Sequence, residues 1–308
     1  MSGEAPATRG AADAAGTARG MALECRAVGF SYEEAQAPIP ALRDVSFALA
    51  GGRSLALLGA SGSGKSTLLQ IVRGLDAPEA GAVLLDGVGA AQAAGAGAGA
   101  AGGAGGTGEA GYAALQKQVG LVFQTPELQL FASSAREDVA FGPSRLGWPD
   151  DEVAAAVEEA LELVGLPPER FGDRHPYALS GGEQRRLALA GVLAMRPRLL
   201  LLDEPFVSLD PATRRELARI LSRLRADGVT LVLATHDVDL AWSLCDELLM
   251  LDAGRVAAAG PWDLGAAGRE LLAASRLREP FLVELWRRLG RDPREAPRTY
   301  AEAAEALA

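Results

Sequence analysis

The chain has few of the residues that mark disulfide-rich, metal-binding or membrane-spanning proteins. Its 308 residues include two cysteines, Cys25 and Cys245, and two histidines. The cysteines lie far apart and follow no metal-ligand spacing, so we expect no disulfide and assign both to packing. No run approaches the roughly 20 apolar residues that cross a bilayer, and residues 1–20 lack the apolar core of a secretion signal. We therefore expect a soluble, cytoplasmic chain with a disordered tail over residues 1–21.

Positive charge is also scarce. The chain has 30 lysines and arginines against 40 aspartates and glutamates, a formal net charge of -10. Proteins that bind nucleic acids or anionic lipids normally present a basic face. This balance argues against a nucleic-acid partner, and we expect any membrane attachment to be peripheral, through a protein partner.

Short β-branched or leucine-rich runs alternate with helical patterns over residues 22–260. This alternation predicts an α/β fold with a mainly parallel sheet covered by helices. Most of the candidate strands are near-continuous apolar runs, as buried parallel strands are. They cover residues 54–59, 83–85, 119–123, 199–202 and 230–234.

Two segments depart from this alternation. Residues 88–111 are almost entirely alanine and glycine, which predicts a disordered surface insertion. After Asp263 the pattern becomes helical and predicts a small C-terminal extension over residues 263–308. One face of its clearest helix is expected to carry Phe281, Leu282, Leu285, Trp286 and Leu289.

A phosphate-binding loop is predicted at residues 59–66, which fit G-x-x-x-x-G-K-[ST] between a buried strand and a helical run. Such a loop turns backbone N–H groups and a helix N-terminus toward phosphates. Lys65 is expected to reach the β- and γ-phosphates of ATP, and the Ser66 hydroxyl to bind Mg²⁺. A chance glycine-rich turn is the alternative, and the loop alone leaves kinases, GTPases and motor ATPases open. The predicted nucleotide contacts are Gly59, Ala60, Ser61, Gly62, Ser63, Gly64, Lys65, Ser66 and Thr67.

Two carboxylates follow an apolar strand at residues 199–202. Asp203 and Glu204 precede Pro205, an arrangement that holds magnesium and positions an attacking water. We expect Asp203 to bind the metal through water and Glu204 to act as the general base. Solvated acidic residues at a strand end are the alternative.

Residues 179–186 read Leu-Ser-Gly-Gly-Glu-Gln-Arg-Arg, which resembles the signature sequence of ATP-binding-cassette proteins. Ser180, Gly181 and Gly182 are predicted to open a helix through Val192, a second anion-binding N-terminus; a simple helix cap is the alternative. The resemblance implies that this terminus completes the ATP site of an opposing subunit. It also implies a P-loop NTPase fold with a RecA-like core, an antiparallel β subdomain and a helical signature subdomain, over residues 22–262.

Four more positions match that family. Tyr32 resembles the residue that stacks on adenine, with edge-strand packing as the alternative. Gln124 resembles the glutamine that senses magnesium and the γ-phosphate, and a surface amide is the alternative. Asp210 lies in a Ser-Leu-Asp loop that resembles the one passing information between the two sites. His236 follows a buried strand and resembles the switch histidine at the γ-phosphate, with a structural histidine as the alternative.

The stretches 119–131, 137–143 and 190–195 are similar to the ATPases of energy-coupling factor transporters. These importers bring vitamins or transition-metal ions such as cobalt or nickel into prokaryotic cells. The resemblance implies an ATP hydrolase that uses Mg²⁺ and pairs with a second ATPase subunit, identical or paralogous. It further implies a transmembrane coupling subunit, a substrate-binding membrane subunit and a place on the cytoplasmic face of the membrane.

Some points stay open at the level of sequence. Glu137 and Asp138 are either partners for a basic coupling helix or ordinary helix-start acids. The C-terminal amphipathic helix either joins ATPase subunits or packs on its own cassette. Residues 206 and 207, Phe-Val, replace the usual small pair, and we expect local repacking there. A soluble cassette ATPase, another transporter class and a small-molecule kinase are the competing functions, and the transported substrate is not encoded here.

Overall fold

The computed structural model describes residues 20–33, 37–89 and 109–308. Most of the predicted tail and insertion, residues 1–19 and 90–108, lies outside the described residues. At the borders, Met21 is fully buried and its amide donates to the Arg198 carbonyl at 3.2 Å. Residue 21, predicted as part of the tail, therefore belongs to the folded domain. The two ends of the predicted insertion, residues 88–89 and 109–111, belong to a strand and a helix.

The described residues form ten strands and eleven α-helices. The strands are β1 (Leu23–Tyr32), β2 (Ile39–Leu49), β3 (Ser54–Leu58), β4 (Ala80–Leu85), β5 (Val88–Gly89), β6 (Val119–Val122), β7 (Leu199–Asp203), β8 (Thr230–Ala234), β9 (Glu247–Asp252) and β10 (Arg255–Pro261). The helices are α1 (Lys65–Arg73), α2 (Glu109–Gln116), α3 (Ala135–Arg145), α4 (Asp150–Leu163), α5 (Pro168–Phe171), α6 (Gly181–Leu193), α7 (Pro211–Ala226), α8 (Val238–Leu244), α9 (Ala266–Ala274), α10 (Phe281–Arg288) and α11 (Tyr300–Leu307). A 3-10 turn covers Pro126–Gln129.

The strands form two sheets. An antiparallel sheet has the order β2-β1-β4-β5, and a larger sheet has the order β10-β9-β3-β8-β7-β6. In the larger sheet β9, β3, β8, β7 and β6 run parallel, and β10 adds an antiparallel edge. This is the predicted α/β architecture, with the expected antiparallel subdomain beside the mainly parallel core.

Each central strand contributes alternate residues to two hydrophobic cores. In β7, Leu199 and Leu201 pack with α1 and the antiparallel sheet, whereas Leu200 and Leu202 pack with the helices on the opposite face. Successive side chains of a strand point to opposite faces, so a sheet covered on both sides needs continuous apolar strands. The burial of both faces explains why these strands show no polar alternation in the sequence.

The signature segment begins helix α6 as predicted, and the helix extends one residue past Val192, to Leu193. Ser180 is its N-cap and forms a capping box with Glu183, in which the Glu183 carboxylate accepts from the Ser180 amide at 2.8 Å. Reciprocal caps satisfy N-terminal amides that the helix leaves unbonded. Helices α3, α4 and α6 pack together on one face of the larger sheet, through the shared apolar core.

The C-terminal extension packs on its own cassette, which was one of the two alternatives. Leu282, Val283 and Trp286 of α10 are buried together with Trp242 of α8. The predicted face was partly wrong, because Phe281 and Leu289 at the helix ends are about half exposed and Val283 is buried instead. In the described part of the chain, no helix combines the length and apolar character needed to cross a bilayer.

Candidate nucleotide site

Four loops that follow neighbouring parallel strands converge on one cleft. The phosphate loop follows β3, His236 follows β8, Asp203 and Glu204 end β7, and Gln124 follows β6. Ligands of open α/β sheets bind at the carboxyl ends of the strands, and all four loops lie at that edge. The cleft has a volume of about 630 Å³. Its lining includes Tyr32, Ser61, Gly62, Gly64, Lys65, Ser66, Thr67, Gln124, Asp203, Glu204 and His236.

The phosphate loop needs glycine at three positions. Gly59, Gly62 and Gly64 have φ values of 151°, 79° and 104°, a region that side-chain-bearing residues rarely adopt. A Cβ at Gly64 would lie 2.7 Å from the Ala41 carbonyl oxygen, whereas one at Gly62 would meet nothing within 4 Å. Gly64 is also the N-cap of α1 and, having no side chain, forms no side-chain cap there. The N-terminus of that helix therefore faces the cleft with amides available to an anion.

Lys65 is held over the loop by the backbone. Its side chain is largely buried, and Nζ donates to the carbonyls of Gly59 at 2.9 Å and Ala60 at 3.1 Å. The same Nζ lies 4.0 Å from Oε1 of Glu204. The lysine therefore stands between the loop and the carboxylate, where it can reach phosphate oxygens.

Ser63 supplies a further sign that the loop is built around a polar ligand. Its Oγ is buried without a hydrogen-bond partner among the described residues, an arrangement that is costly unless a ligand or water satisfies it. The three positive-φ glycines, the uncapped helix and Lys65 complete an anion cradle. The residues present thus fit a nucleotide's phosphates.

Asp203 and Ser66 form an oxygen-rich pair on the floor of the cleft. Burial raises the pKa of the Asp203 carboxyl, while a hydrogen bond from the Ser66 hydroxyl acts in the opposite direction. Among the described residues no group of three His, Cys, Asp or Glu side chains could hold a metal by itself. Mg²⁺ usually takes one or two protein ligands plus water and phosphates. The oxygens of Ser66, Asp203 and Gln124 therefore suit Mg²⁺ that arrives with a nucleotide.

Glu204 has a left-handed backbone conformation, which residues with a side chain rarely adopt. Its φ is 47°, the left-handed region, which costs a residue of this kind roughly 1–3 kcal/mol. Its amide donates to the Ala234 carbonyl at 3.0 Å, and Nδ1 of His236 lies 3.0 Å from each carboxylate oxygen. Neighbouring strands thus fix the Glu204 carboxylate beside His236 and Lys65, and its role as general base stays a prediction.

Tyr32 lies at the rim of the cleft, about 41% exposed. Its hydroxyl is 2.9 Å from Oγ1 of Thr67, and its ring meets that of Phe30 edge-on with centroids 5.1 Å apart. The ring is therefore oriented by its neighbours and still has an open side. The sequence missed residues 39–41 of β2, which line the same rim because antiparallel pairing places Ile39 opposite Tyr32.

The signature segment and Asp210 lie away from this cleft. Ser180 and Gly181 are exposed, and a Cβ on Gly182 would lie 3.0 Å from Oγ1 of Thr213. The Asp210 carboxylate caps α7 by accepting from the amides of Ala212 and Thr213. The two segments are thus adjacent to each other and do not contribute to this chain's own cleft.

The remaining open positions are mostly resolved by local contacts. Asp138 accepts from the amides of Phe131 and Ala132 at 2.9 Å each, and Glu137 accepts from the Ser133 hydroxyl at 2.5 Å. These bonds hold both carboxylates within the chain, which favours their role as helix-start acids, and contact with a basic coupling helix stays a prediction. Phe206 is buried in the core with 4% exposure, and Val207 lines the cleft.

Comparisons with known proteins decide the family. The sequence profile described as "ABC transporter" matches residues 42–207, which include the phosphate loop, the signature and the paired carboxylates. This chain belongs to the ABC transporter family. It is an ATP-binding and ATP-hydrolysing protein of the transport type.

Two curated relatives of this ABC ATPase are named for transporters. It is 36% identical to "Energy-coupling factor transporter ATP-binding protein EcfA2" of Methanospirillum hungatei, over 90% of this chain and 66% of that protein. It is 41% identical to "Nickel import ATP-binding protein NikO" of Rhodobacter capsulatus, over 84% of this chain and 97% of that protein. The chain thus spans just under two thirds of the first relative and nearly all of the second.

Two solved structures are similar to this ABC ATPase. One is cbiO1 from Clostridium perfringens, described as part of the ABC transporter complex cbiONQ, with a TM-score of 0.66 and 30% identity over 86% of this chain and 93% of that one. The other is the ATP-binding cassette MJ0796, a dimer in a post-hydrolysis state bound to ADP and Pi, with a TM-score of 0.65 and 28% identity over 78% of this chain and 98% of that one. The fold is therefore that of an ABC ATPase cassette.

Proposed function

We propose that this ABC ATPase powers an energy-coupling-factor-type importer as one of two paired cassettes. The observation that carries the proposal is the convergence of the phosphate loop, Asp203, Glu204, Gln124 and His236 on one cleft, while the signature segment lies outside it. A cleft with a general base but no signature residues of its own calls for a second subunit to close it.

Each side chain in the cleft has a role in ATP hydrolysis that its contacts support. Lys65 binds the phosphates, and Tyr32 offers its open ring face to adenine. Glu204 accepts a proton from the attacking water as general base, and His236 holds that carboxylate through Nδ1. The backbone amides at the start of α1 stabilise the negative charge that develops on the phosphoryl group.

Mg²⁺ is proposed to bind together with the nucleotide. Ser66, Asp203 and Gln124 would hold it, directly or through water. When bound, it neutralises charge on the phosphate oxygens.

The second cassette supplies the signature residues that this chain's own cleft lacks. In the dimeric arrangement known for a structural relative, Ser180, Gly181 and Gly182 of one chain would face the ATP of the other. Their amides at the start of α6 are a second anion-binding terminus. The partner is either a second copy of this chain or a paralogue.

A hydrophobic surface beside the Gln124 loop suits a membrane partner. Leu128, Phe131 and Phe141 are 80%, 62% and 44% exposed, and the two phenylalanine rings meet edge-on at 4.8 Å. We call these three residues the docking patch. Clustered exposed apolar side chains mark protein contacts. The patch begins shortly after Gln124 in the chain, and Gln124 lines the nucleotide cleft. We propose that the transmembrane coupling subunit docks here, which places the chain on the cytoplasmic face of the membrane.

The proposed transported substrate is inferred from the transport functions for which the relatives are named. Nickel and energy-coupling factor transport appear in them, and we propose a transition-metal ion or a vitamin as the substrate, captured by a separate membrane subunit. A soluble ATPase without membrane partners is the competing function.

Purification in mild detergent tests the proposal. Tagged wild-type chain, expressed in its native host, is expected to retain a polytopic membrane subunit and a substrate-capturing subunit, identified by mass spectrometry. Phe141→Asp in the docking patch is expected to lose them, while Leu289→Asp, 49% exposed on the C-terminal extension, is the matched control and should retain them. Recovery of soluble partners alone from the wild type would refute the importer function.

A further inference from the structure

Arg185 joins three segments of the nucleotide machinery. It lies on α6, one turn after the signature residues, and its side chain is only 11% exposed. Nη1 donates to the Val207 carbonyl at 2.5 Å and Nη2 to the Gln124 carbonyl at 2.9 Å. Nε lies 3.4 Å from the Glu127 carboxylate.

The two carbonyls belong to two different loops, which follow the neighbouring strands β6 and β7. Gln124 follows β6, whereas Val207 comes three residues after Glu204 and lines the cleft itself. The guanidinium is a planar fork that bonds two acceptors in fixed relative positions. Arg185 therefore fixes the spacing between the Gln124 loop and the loop that carries Glu204.

The same residue is rigidly connected to the signature. The capping box between Ser180 and Glu183 fixes the first turn of α6, and Arg185 stands on the next turn of that helix. A shift of Gln124 or Val207 relative to the sheet is thus transmitted to Ser180 and its neighbouring glycines.

We propose that Arg185 is a positioning residue that couples this chain's own ATP cleft to the signature segment it presents to a second cassette. This inference rests on the proposed function, because it requires two cassettes. It assigns no contact with ATP to Arg185. Its consequence is that occupation of one site favours closure of the other.

The test measures ATP hydrolysis by the intact transporter complex as a function of ATP concentration. Wild type is expected to show a Hill coefficient approaching two, since two sites act together. Arg185→Gln is expected to lower the Hill coefficient toward one, because it removes a coupling by which one filled site changes the affinity of the other by about 5- to 150-fold. It is also expected to lower kcat, with KM changed less than kcat.

Three further variants distinguish the loss of the two guanidinium hydrogen bonds from the loss of charge and from a general effect of removing an arginine. Arg185→Lys keeps the charge but not the fork and should also lose cooperativity. Glu127→Gln removes the ion pair, whose Nε–carboxylate distance is 3.4 Å, and leaves both carbonyl bonds of the guanidinium fork in place, so its kcat and Hill coefficient should stay within about twofold of wild type. Arg219→Gln, an arginine 72% exposed on α7, is the surface control and should not change kcat or the Hill coefficient.

The outcomes distinguish the two proposals. Absence of ATPase activity in the wild-type complex refutes the proposed function. An active wild type with a Hill coefficient of one overturns the coupling, as does a loss of kcat in Arg185→Gln with the Hill coefficient unchanged. If Arg185→Gln fails to fold, Arg185→Lys at wild-type Tm decides, and full cooperativity in that variant overturns the inference.

Discussion

Replacing Arg298 by methionine is expected to loosen the C-terminal extension from the cassette. The guanidinium donates to the carbonyls of Trp242 at 2.8 Å and Cys245 at 3.1 Å, and its carbon lies 3.5 Å from the centroid of the Trp242 ring. Methionine keeps the aliphatic contact and removes the charge and both donors. The change therefore isolates the polar part of the anchor.

The magnitude follows from those contacts. A hydrogen bond to a charged group contributes about 1.5–3 kcal/mol, and a partly desolvated cation–π contact about 0.5–2 kcal/mol. The three contacts share one guanidinium and do not add fully. The Cys245 carbonyl also keeps a second donor, Nε1 of Trp262 at 3.1 Å. We therefore expect Arg298→Met to reduce the free energy of undocking by about 2–4 kcal/mol.

Native-state hydrogen exchange measures this change. Amides of α10 and α11 are expected to exchange about 30- to 700-fold faster in Arg298→Met, since each 1.4 kcal/mol is tenfold, while the strands of the larger sheet keep their protection. Arg294→Met, an exposed arginine of the same extension, should stay within about 0.5 kcal/mol of wild type. Equal exchange in the two variants would refute the anchoring role of Arg298.

Three further predictions concern the cleft and the core. Glu204→Gln is expected to bind ATP normally and to lower kcat by about 10² to 10⁴, measured by phosphate release and nucleotide retention; undiminished turnover would contradict its role as base. Tyr32→Ala should weaken ATP binding by about 2- to 12-fold through the lost ring contact, whereas Tyr32→Phe should bind nearly as wild type in calorimetry. Burial opposes ionisation of Asp246, but bonds from Ser54 and the charges of Arg225 and Arg53 outweigh it and hold the Asp246 pKa below its ordinary value. Asp246→Asn should therefore lower the free energy of unfolding by about 1 kcal/mol at neutral pH. This difference, followed by denaturant unfolding at several pH values, should disappear as the pH falls through the lowered folded-state pKa of Asp246; a difference independent of pH would exclude the charge as its cause.

The sequence was most informative where a motif has a fixed local geometry. The strand at residues 54–59 was predicted within one residue, and a helix follows the loop as expected, because three positive-φ glycines and a lysine at fixed spacing leave little choice of conformation. The start of α6 at Ser180 was likewise predicted from the local sequence. These features depend on neighbours in the chain.

The errors lie where distant segments meet. The extension's buried face was misjudged at Phe281, Val283 and Leu289, because the position of Trp242 decides which side of an eight-residue helix is covered. The rim residues of β2 were missed because strand pairing, not local pattern, places them beside Tyr32.

The sequence by itself determined the phosphate loop, the apolar strands that end in Asp203 and Glu204, and the family to which these motifs point. Only the tertiary structure showed how Gln124, Glu204 and His236, which the family resemblance placed at one nucleotide, come together in one cleft, because sheet order places β6, β7 and β8 side by side. The bridge made by Arg185 also exists only in the fold, since it joins carbonyls that are 61 and 22 residues away in the chain. A sequence motif determines the groups that one segment of the chain presents. The order of the strands and the length of the Arg185 side chain determine which segments contact one another.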